Sequence, residues 1–274
     1  MSRPSGSLSL KECAERLGVH YMTVYRYVRT GVLPAVKHGA EWRVDEAECT
    51  AFKSTPVMWA PRSGAHWRER LDARMRAGDE RGAWLVLESA LGSGFTPERI
   101  YLEVLGPALR EIGEAWHRGA ATVGEEHRAS AVAHRLIGRM GARFGVRGRP
   151  RGRVLLGTPP GERHALAVAM LANMMRNAGF EAVDLGADTP ADSFVEAALE
   201  MSPLVVGVSV TTPSAIHGAA RVVAAVHAET GIPVLLGGAA VRDEDHAREL
   251  GADGYAADGA AAVAWVSRLA EERR

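Results

Sequence analysis

Residues 114–127 read EAWHRGAATVGEEH and gather an indole, two imidazoles and adjacent carboxylates around a glycine-containing bend. Neutral imidazole is a good ligand for late transition metals, and a flat indole can shield a reactive face from water. Thr122 with Glu125 has capping-box spacing, so Glu125 has a plain structural reason to be there. Glu126 and His127 have none. Trp116 and His127 still admit a bland reading, as bundle core and as partner of a backbone carbonyl.

A second constellation lies downstream in GTPPGERHALA, with Glu162 two residues before His164. A carboxylate so close can orient the imidazole, the arrangement that makes histidine an effective metal ligand. Ser209, Val210 and Thr211 (with Thr212 next), then Gly237 and Gly238, follow later apolar runs. Together they offer one imidazole, a carboxylate to hold it, two or three hydroxyls and a glycine-lined slot. Glycines after a strand let a flat or bulky ligand approach the backbone. No further cysteine, histidine or carboxylate completes a bare-metal cage. A single protein ligand suffices only if the remaining coordination arrives with a cofactor. The bland alternative is that His164 is an ordinary loop histidine.

The surrounding pattern says what must position these groups. Residues 148–274 alternate five apolar runs (RVLLG, EAVDLG, LVVGVSV, PVLLGG, GYAAD) with helical stretches such as ALAVAMLANMMRNAG. That alternation predicts a doubly wound parallel five-stranded α/β sheet, covered on both faces. Ligands bind beyond the carboxyl ends of strands in such sheets, which is where Glu162, His164, Ser209, Thr211, Gly237 and Gly238 fall. Residues 67–147 are helical in pattern, with four helices near 67–77, 79–91, 97–118 and 123–144. Short connections predict an antiparallel four-helix bundle. Trp116 and His117 then end the third helix while Glu126 and His127 begin the fourth, so all four meet at one end.

Residues 1–55 form a third unit. Ser9 to Glu12 is a capping box opening a helix that Gly18 stops, and a second helix starts at His20 and buries Val24 and Val28. GVLPAVKHGAEWRVD reads as two short strands around His38, Gly39 and Ala40, and EAECTAF as a closing helix. The unit is a helix-turn-helix of chiefly helical (all-α) class with a wing. Tyr21, Met22, Thr23, Tyr25 and Arg26 lie near the exposed start of the second helix, where base edges are read. Lys37, His38 and Arg43 suit phosphate or minor-groove contact. The alternative is a small protein-interaction domain with a basic tip. Residues 56–66, with two prolines and a glycine, read as a linker.

Composition bounds the rest. The chain has 274 residues, 47% hydrophobic, with zero formal net charge. That argues against a bulk polyanion or membrane binder but allows one small basic module. No run of eighteen apolar residues occurs, and MSRPSGSLSL lacks a signal-peptide core, so a cytoplasmic location is expected. Cys13 and Cys49 cannot build a disulfide framework and read as small buried hydrophobes.

Three resemblances add to this. AERLGVHYMTVYRYVRTGVLPAVKHGAEWRV resembles the excisionase and MerR-type winged helix-turn-helix family, but no long dimerisation helix follows the wing. Residues 152–272, with ERHALA, SVTT and GG, resemble cobalamin-binding domains. Their pattern is an acidic residue, any residue, histidine, two residues and glycine, and Ala167 stands where that glycine is usual. Trp116, nine residues, then Glu126 and His127 resembles the bundle of CarH/LitR-type cobalamin photoreceptors, and the domain order matches. The resemblance implies a Rossmann-like cobalamin domain with His164 as lower cobalt ligand in place of the benzimidazole. The benzimidazole tail would lie among Ser209, Thr211, Gly237 and Gly238. It implies Trp116 over the upper face, Glu126 and His127 at the upper ligand or corrin edge, and His117 as upper ligand after light.

The resulting expectation is a non-enzymatic, light-responsive regulator, acting as a repressor. It would bind adenosylcobalamin, in preference to methylcobalamin. It would assemble in the dark as a homo-oligomer, a tetramer, on a double-stranded DNA operator and release it after photolysis. The rivals are a cobalamin-level sensor without light function, a corrinoid methyl-carrier, and a DNA-binding protein whose sensory domain has lost its ligand.

Overall fold

The structure is a computed structural model and describes residues 6–29, 33–39, 41–54, 64–145 and 148–273. The first unit runs β1 (Ser7–Ser9), α1 (Leu10–Leu17), α2 (Tyr21–Arg29), β2 (Val36–His38), β3 (Glu41–Asp45) and α3 (Glu46–Ser54). The expected capping box forms: Ser9 Oγ accepts from the Glu12 N–H at 3.2 Å, and Glu12 Oε2 accepts from the Ser9 N–H at 2.8 Å. Gly18, at φ 70°, turns the chain out of α1. Leu10, Cys13, Ala14, Val24, Val28, Leu33, Val44 and Cys49 make the core. The unit is not purely helical. β1 adds a third strand, in the antiparallel order β1-β3-β2, with Ser7 opposite Asp45 and Ser9 opposite Arg43. Three residues carry no periodicity, so only the long-range pairing with β3 reveals this strand.

The second unit comprises α4 (Gly64–Arg76), α5 (Glu80–Gly92), α6 (Pro97–Arg99), a π-helical segment (Ile100–Leu105), α7 (Gly106–His117) and α8 (Val123–Gly141). α4 begins inside the stretch read as linker, whose residues up to 63 lie outside the described residues. The third helix is not uniformly α. Gly106 donates its N–H to the Tyr101 carbonyl, and the next residue, Pro107, has no N–H to continue an α ladder. A Cβ at position 106 would sit 2.8 Å from that carbonyl oxygen, so the bulge requires glycine. Leu71, Met75, Leu87, Ile100, Leu105, Ile112, Leu136 and Met140 fill the bundle.

The third unit is β4 (Arg153–Gly157), α9 (Leu166–Asn177), β5 (Glu181–Asp184), α10 (Ala191–Met201), β6 (Val205–Ser209), α11 (Ile216–Thr230), β7 (Val234–Gly237), α12 (Glu244–Glu249), β8 (Gly254–Ala256) and α13 (Gly259–Glu272). Its sheet is five-stranded and wholly parallel, ordered β5-β4-β6-β7-β8. Alternate residues feed opposite faces: Leu155, Val206, Val208 and Leu236 pack with Phe194, Val222 and Val226, while Val154, Leu156, Val205 and Leu235 pack with Met175 and Val266. The order reverses between β4 and β6, which places the ligand crevice of such sheets at their carboxyl ends.

Bundle and sheet unit share one apolar seam. Met174 of α9 joins the bundle core, with Leu166, Ala169, Met170 and Val263 packed against it. Among the described residues, no helix is long and apolar enough to cross a membrane.

Candidate cofactor site

β4 ends at Gly157 and delivers the chain into a loop held by its own backbone. Thr158 Oγ1 donates to the Glu162 carbonyl at 2.6 Å, the Asp188 N–H donates to the same carbonyl at 2.8 Å, and Asp188 Oδ1 accepts from the Gly161 N–H at 2.7 Å. This clamp drives the Glu162 side chain into the crevice between β4 and β6, where its exposure is 0%. A buried carboxylate is tolerable only if hydrogen-bonded, and Glu162 is saturated. Oε2 accepts from the Thr211 N–H at 2.7 Å, Thr211 Oγ1 at 2.8 Å, the Thr212 N–H at 2.8 Å and Thr212 Oγ1 at 3.1 Å. Oε1 accepts from the His164 N–H at 2.9 Å and lies 2.5 Å from His164 Nδ1. Burial alone pushes this carboxyl up. The donors from His164 and Thr211 outweigh it and hold Glu162 down at about 2.

A carboxylate can only accept, so His164 Nδ1 carries the proton and the neutral ring keeps its lone pair on Nε2. The His164 side chain is 61% exposed, and no hydrogen bond to its Nε2 occurs among the described residues. A rigidly held, outward-facing imidazole is suited to ligate a metal. Among the described residues no group of three or more His, Cys, Asp or Glu could hold a bare ion. This donor set therefore fits a metal that brings its other ligands in a macrocycle, as a corrinoid does.

The remaining residues of the slot divide. Thr211 reaches both Glu162 and, at 3.1 Å, His164 Nδ1. Thr212, read from the sequence only as a hydroxyl neighbour, is an equal anchor of Glu162, and its adjacency to Thr211 was the available signal. Ser209 ends β6, partly exposed. Val210 is a correction: its side chain is fully buried in the sheet core, so only its backbone borders the mouth, accepting from Ala240 N–H and donating to the Gly237 carbonyl. The glycine pair is already demanded by the protein's own packing. A Cβ at Gly238, at φ 100°, would lie 2.3 Å from the Val210 oxygen, and one at Gly237 would lie 2.8 Å from the Ala256 oxygen. Ala167 lies exposed in the first turn of α9, so its methyl adds bulk at the mouth and not within the core.

At the bundle end, Gly119, at φ 69°, closes α7, and the Thr122–Glu125 capping box opens α8. Trp116 is 42% exposed and is not bundle core. His117 stands edge-on to it, centroids 4.8 Å apart, and its Nδ1–H donates to the Gly113 carbonyl at 3.0 Å. Its Nε2 is thereby left as the lone-pair nitrogen, as in His164. Glu126 Oε1 accepts from Ser130 Oγ at 2.6 Å, and Oε2 lies 3.7 Å from Nε2 of the exposed His127.

No hydrogen bond, ion pair or ring contact among the described residues joins these four to Glu162 and His164. Their relative level follows from the seam. Glu98 pairs with Asn177, and Tyr101 Oη accepts from Asn173 Nδ2 at 2.9 Å. The chain rises from 98 to 101 as its partners fall from 177 to 173, so the third bundle helix runs antiparallel to α9. It heads for the end where α9 begins and His164 lies. Trp116 is fifteen residues beyond Tyr101, about 22 Å at helical rise, and His164 is nine before Asn173, about 13 Å. α8 touches α9 where the Ile137 carbonyl accepts from Asn173, so Glu126 lies about 16 Å toward the same end. Trp116 and His164 therefore lie toward the same end of the seam.

On the helix-turn-helix unit, Tyr21 and Met22 are exposed at the start of α2, Thr23 is half-buried, and Lys37 and His38 are exposed on β2. Tyr25 is half-buried against the core. Arg43 is largely covered and ion-paired to Glu41 at 3.4 Å. The Arg26 side chain lies outside the described residues, as do Thr30, Gly31, Val32 and Ala40.

Comparison with known proteins accords with this geometry. A B12 binding domain model matches residues 152–264, a second B12 binding domain model matches 67–140, and a helix-turn-helix domain model matches 7–52. The HTH-type transcriptional repressor CarH of Myxococcus xanthus is 31% identical over 179 residues, 64% of this chain and 58% of that protein. The chain therefore spans just over half the length of that relative. Dimethylamine corrinoid protein 2 of Methanosarcina mazei is 30% identical over 190 residues, 67% of this chain and 81% of that protein. The solved monomethylamine corrinoid protein of Methanosarcina barkeri superposes with a TM-score of 0.65 at 18% identity, covering 77% of this chain and all of that one, a likeness of fold. The chain belongs to the B12-binding proteins, and the helix-turn-helix domain ahead of its two B12 binding domains gives it the make-up of a CarH-type B12-binding regulator.

Proposed function

We propose that this protein is a light-responsive transcriptional repressor that binds adenosylcobalamin. The observation that carries the reading is the His164–Glu162 pair: an exposed imidazole whose Nδ1 is locked by a buried carboxylate, leaving Nε2 for the cobalt. Ser209, Thr211 and the backbone at Val210, Gly237 and Gly238 would border the nucleotide tail. Trp116 would shield the upper face, with Glu126 and His127 at its rim. Bound adenosylcobalamin supplies a weak cobalt–carbon bond that visible light can break.

His117, beside Trp116, would be the imidazole that holds the cofactor after light, and that change would let the bundle shift on its seam with α9. That local event biases a two-state assembly. Among the described residues no long dimerisation helix follows the winged helix, and α4 packs into the bundle. Cofactor-driven assembly, as a tetramer in the dark, would place several modest DNA-binding heads on one operator, so avidity replaces a permanent dimer. Tyr21, Met22 and Thr23 would read bases, with Lys37 and His38 on phosphate. The protein acts as a regulator and not as an enzyme.

Similarity to proteins named as corrinoid proteins supports a second reading, a methyl-carrier. A carrier has no use for the helix-turn-helix domain, which favours the regulator. Sizing of the adenosylcobalamin-loaded protein, dark and after green light, separates them. A regulator is expected to change particle size and DNA affinity with light, and a carrier to change neither.

A further inference from the structure

The two cysteines meet inside the DNA-binding unit. Cys13 in α1 and Cys49 in α3 are each fully buried, and their Sγ atoms lie 2.7 Å apart. A covalent S–S bond is about 2.05 Å, so closure asks for a shift of well under 1 Å. The same α1–α3 face is bridged at its rim by Arg16 and Glu46, which keeps the two helices in register. No third metal-ligating group accompanies the thiols among the described residues, so the pair is not a metal site.

We propose that Cys13 and Cys49 are a disulfide-forming pair that staples α1 to α3 and closes a loop containing α2 and the wing. Bond formation removes two thiol protons and two electrons. A two-electron oxidant must accept them: an azo compound reduced to its hydrazine, or a small disulfide reduced to two thiols. Burial, with the neighbouring Cys49, pushes the Cys13 thiol up to about 12, so little thiolate forms in the closed domain. Oxidation is therefore gated by opening of the α1–α3 contact. The staple spans thirty-six positions, and such a cross-link acts chiefly by restricting the unfolded chain. The exposed Tyr21 and Met22 belong to α2 and not to the stapled helices, so the DNA-reading surface stays open.

The test uses the full-length protein treated with diamide, with and without mild urea to promote opening, then denatured and alkylated. The expected result is monomeric protein with both cysteines protected, a non-reduced Cys13–Cys49 peptide pair, and faster protection in urea. Proteolytic cutting within residues 7–53 during a temperature ramp should shift upward by about 10 °C or more. Cys49→Ser should leave Cys13 open to alkylation after the same treatment. Full alkylation of both wild-type thiols after prolonged treatment in urea, or disulfide-linked dimers in place of the internal pair, would overturn the proposal.

Discussion

The Glu162 carboxylate, wholly removed from solvent, lies 2.5 Å from Nδ1 of His164, whose ring is mostly exposed. One residue holds and the other presents. The buried partner belongs to the protein's own polar network, through Thr211 and Thr212, and the exposed partner is left with a free lone pair. Separating these two duties gives the site distinct experimental signatures.

His164→Ala deletes the ring donor to the buried Glu162 carboxylate but keeps the backbone one, so the cofactor-free protein should lose about 1–3 kcal/mol. Adenosylcobalamin retention should fall at least about tenfold, the loss of one good ligand interaction. Equilibrium dialysis read against the melting curve checks both. Unaltered retention would remove His164 from the site.

Glu162→Gln puts amide hydrogens among the N–H groups of Thr211, Thr212 and His164. It should destabilise the sheet unit by about 1–3 kcal/mol even without cofactor. The pH dependence has a definite sign. Glu162 is depressed from its ordinary 4.5 to about 2, so its contribution is fully present above 4.5 and is lost as pH falls toward 2. The integrated loss is roughly 3 kcal/mol. Denaturant melts from pH 6 to pH 2 should show this acid-labile component in wild type and its reduction in the glutamine variant.

Trp116→Ala should cost the cofactor-free bundle little, because the indole is half outside it. Ile112→Ala, one turn earlier and 2% exposed, should cost about 2–5 kcal/mol. If Trp116 shields the upper face, its variant should bind adenosylcobalamin with an altered spectrum or faster exchange in the dark. Equal destabilisation by both substitutions would mark Trp116 as ordinary packing.

Asn173→Ala strikes the seam. It strips Tyr101 Oη and the Arg176 guanidinium of a buried partner, with an expected cost of about 1–3 kcal/mol. Hydrogen exchange should rise in α6 and the π segment before it rises in the sheet. Uniform protection would mean that the seam does not depend on this amide.

Much of this was legible in the chain. Both capping boxes, the glycine stops and the strand–helix alternation depend on neighbours close in sequence, and Ser9, Gly18, Thr122 and Gly119 take the expected roles. His164 and Glu162 were legible because they sit two residues apart after an apolar run. What escaped depends on distant partners. β1 exists only by pairing with Asp45, Val44 and Arg43. The π segment needs Gly106 and Pro107 to be read against the Tyr101 carbonyl. Val210 sits among chemically apt neighbours, yet strand alternation turns its side chain into the core. Asn173 lies in an apolar helix where an amide suggests solvent, and only the docked bundle gives it Tyr101 and the Ile137 carbonyl.

The central claim is that Nε2 of His164 holds the cobalt from below while the bundle end covers it from above. The most direct measurement is the absorption spectrum of the adenosylcobalamin-loaded protein before and after green light, beside His164→Ala and His117→Ala. The wild-type dark spectrum should lack benzimidazole ligation, that spectrum should be lost in His164→Ala, and among proteins that still load the light product should be altered only in His117→Ala. A wild-type dark spectrum with the benzimidazole still on cobalt, unchanged in His164→Ala, would contradict the claim.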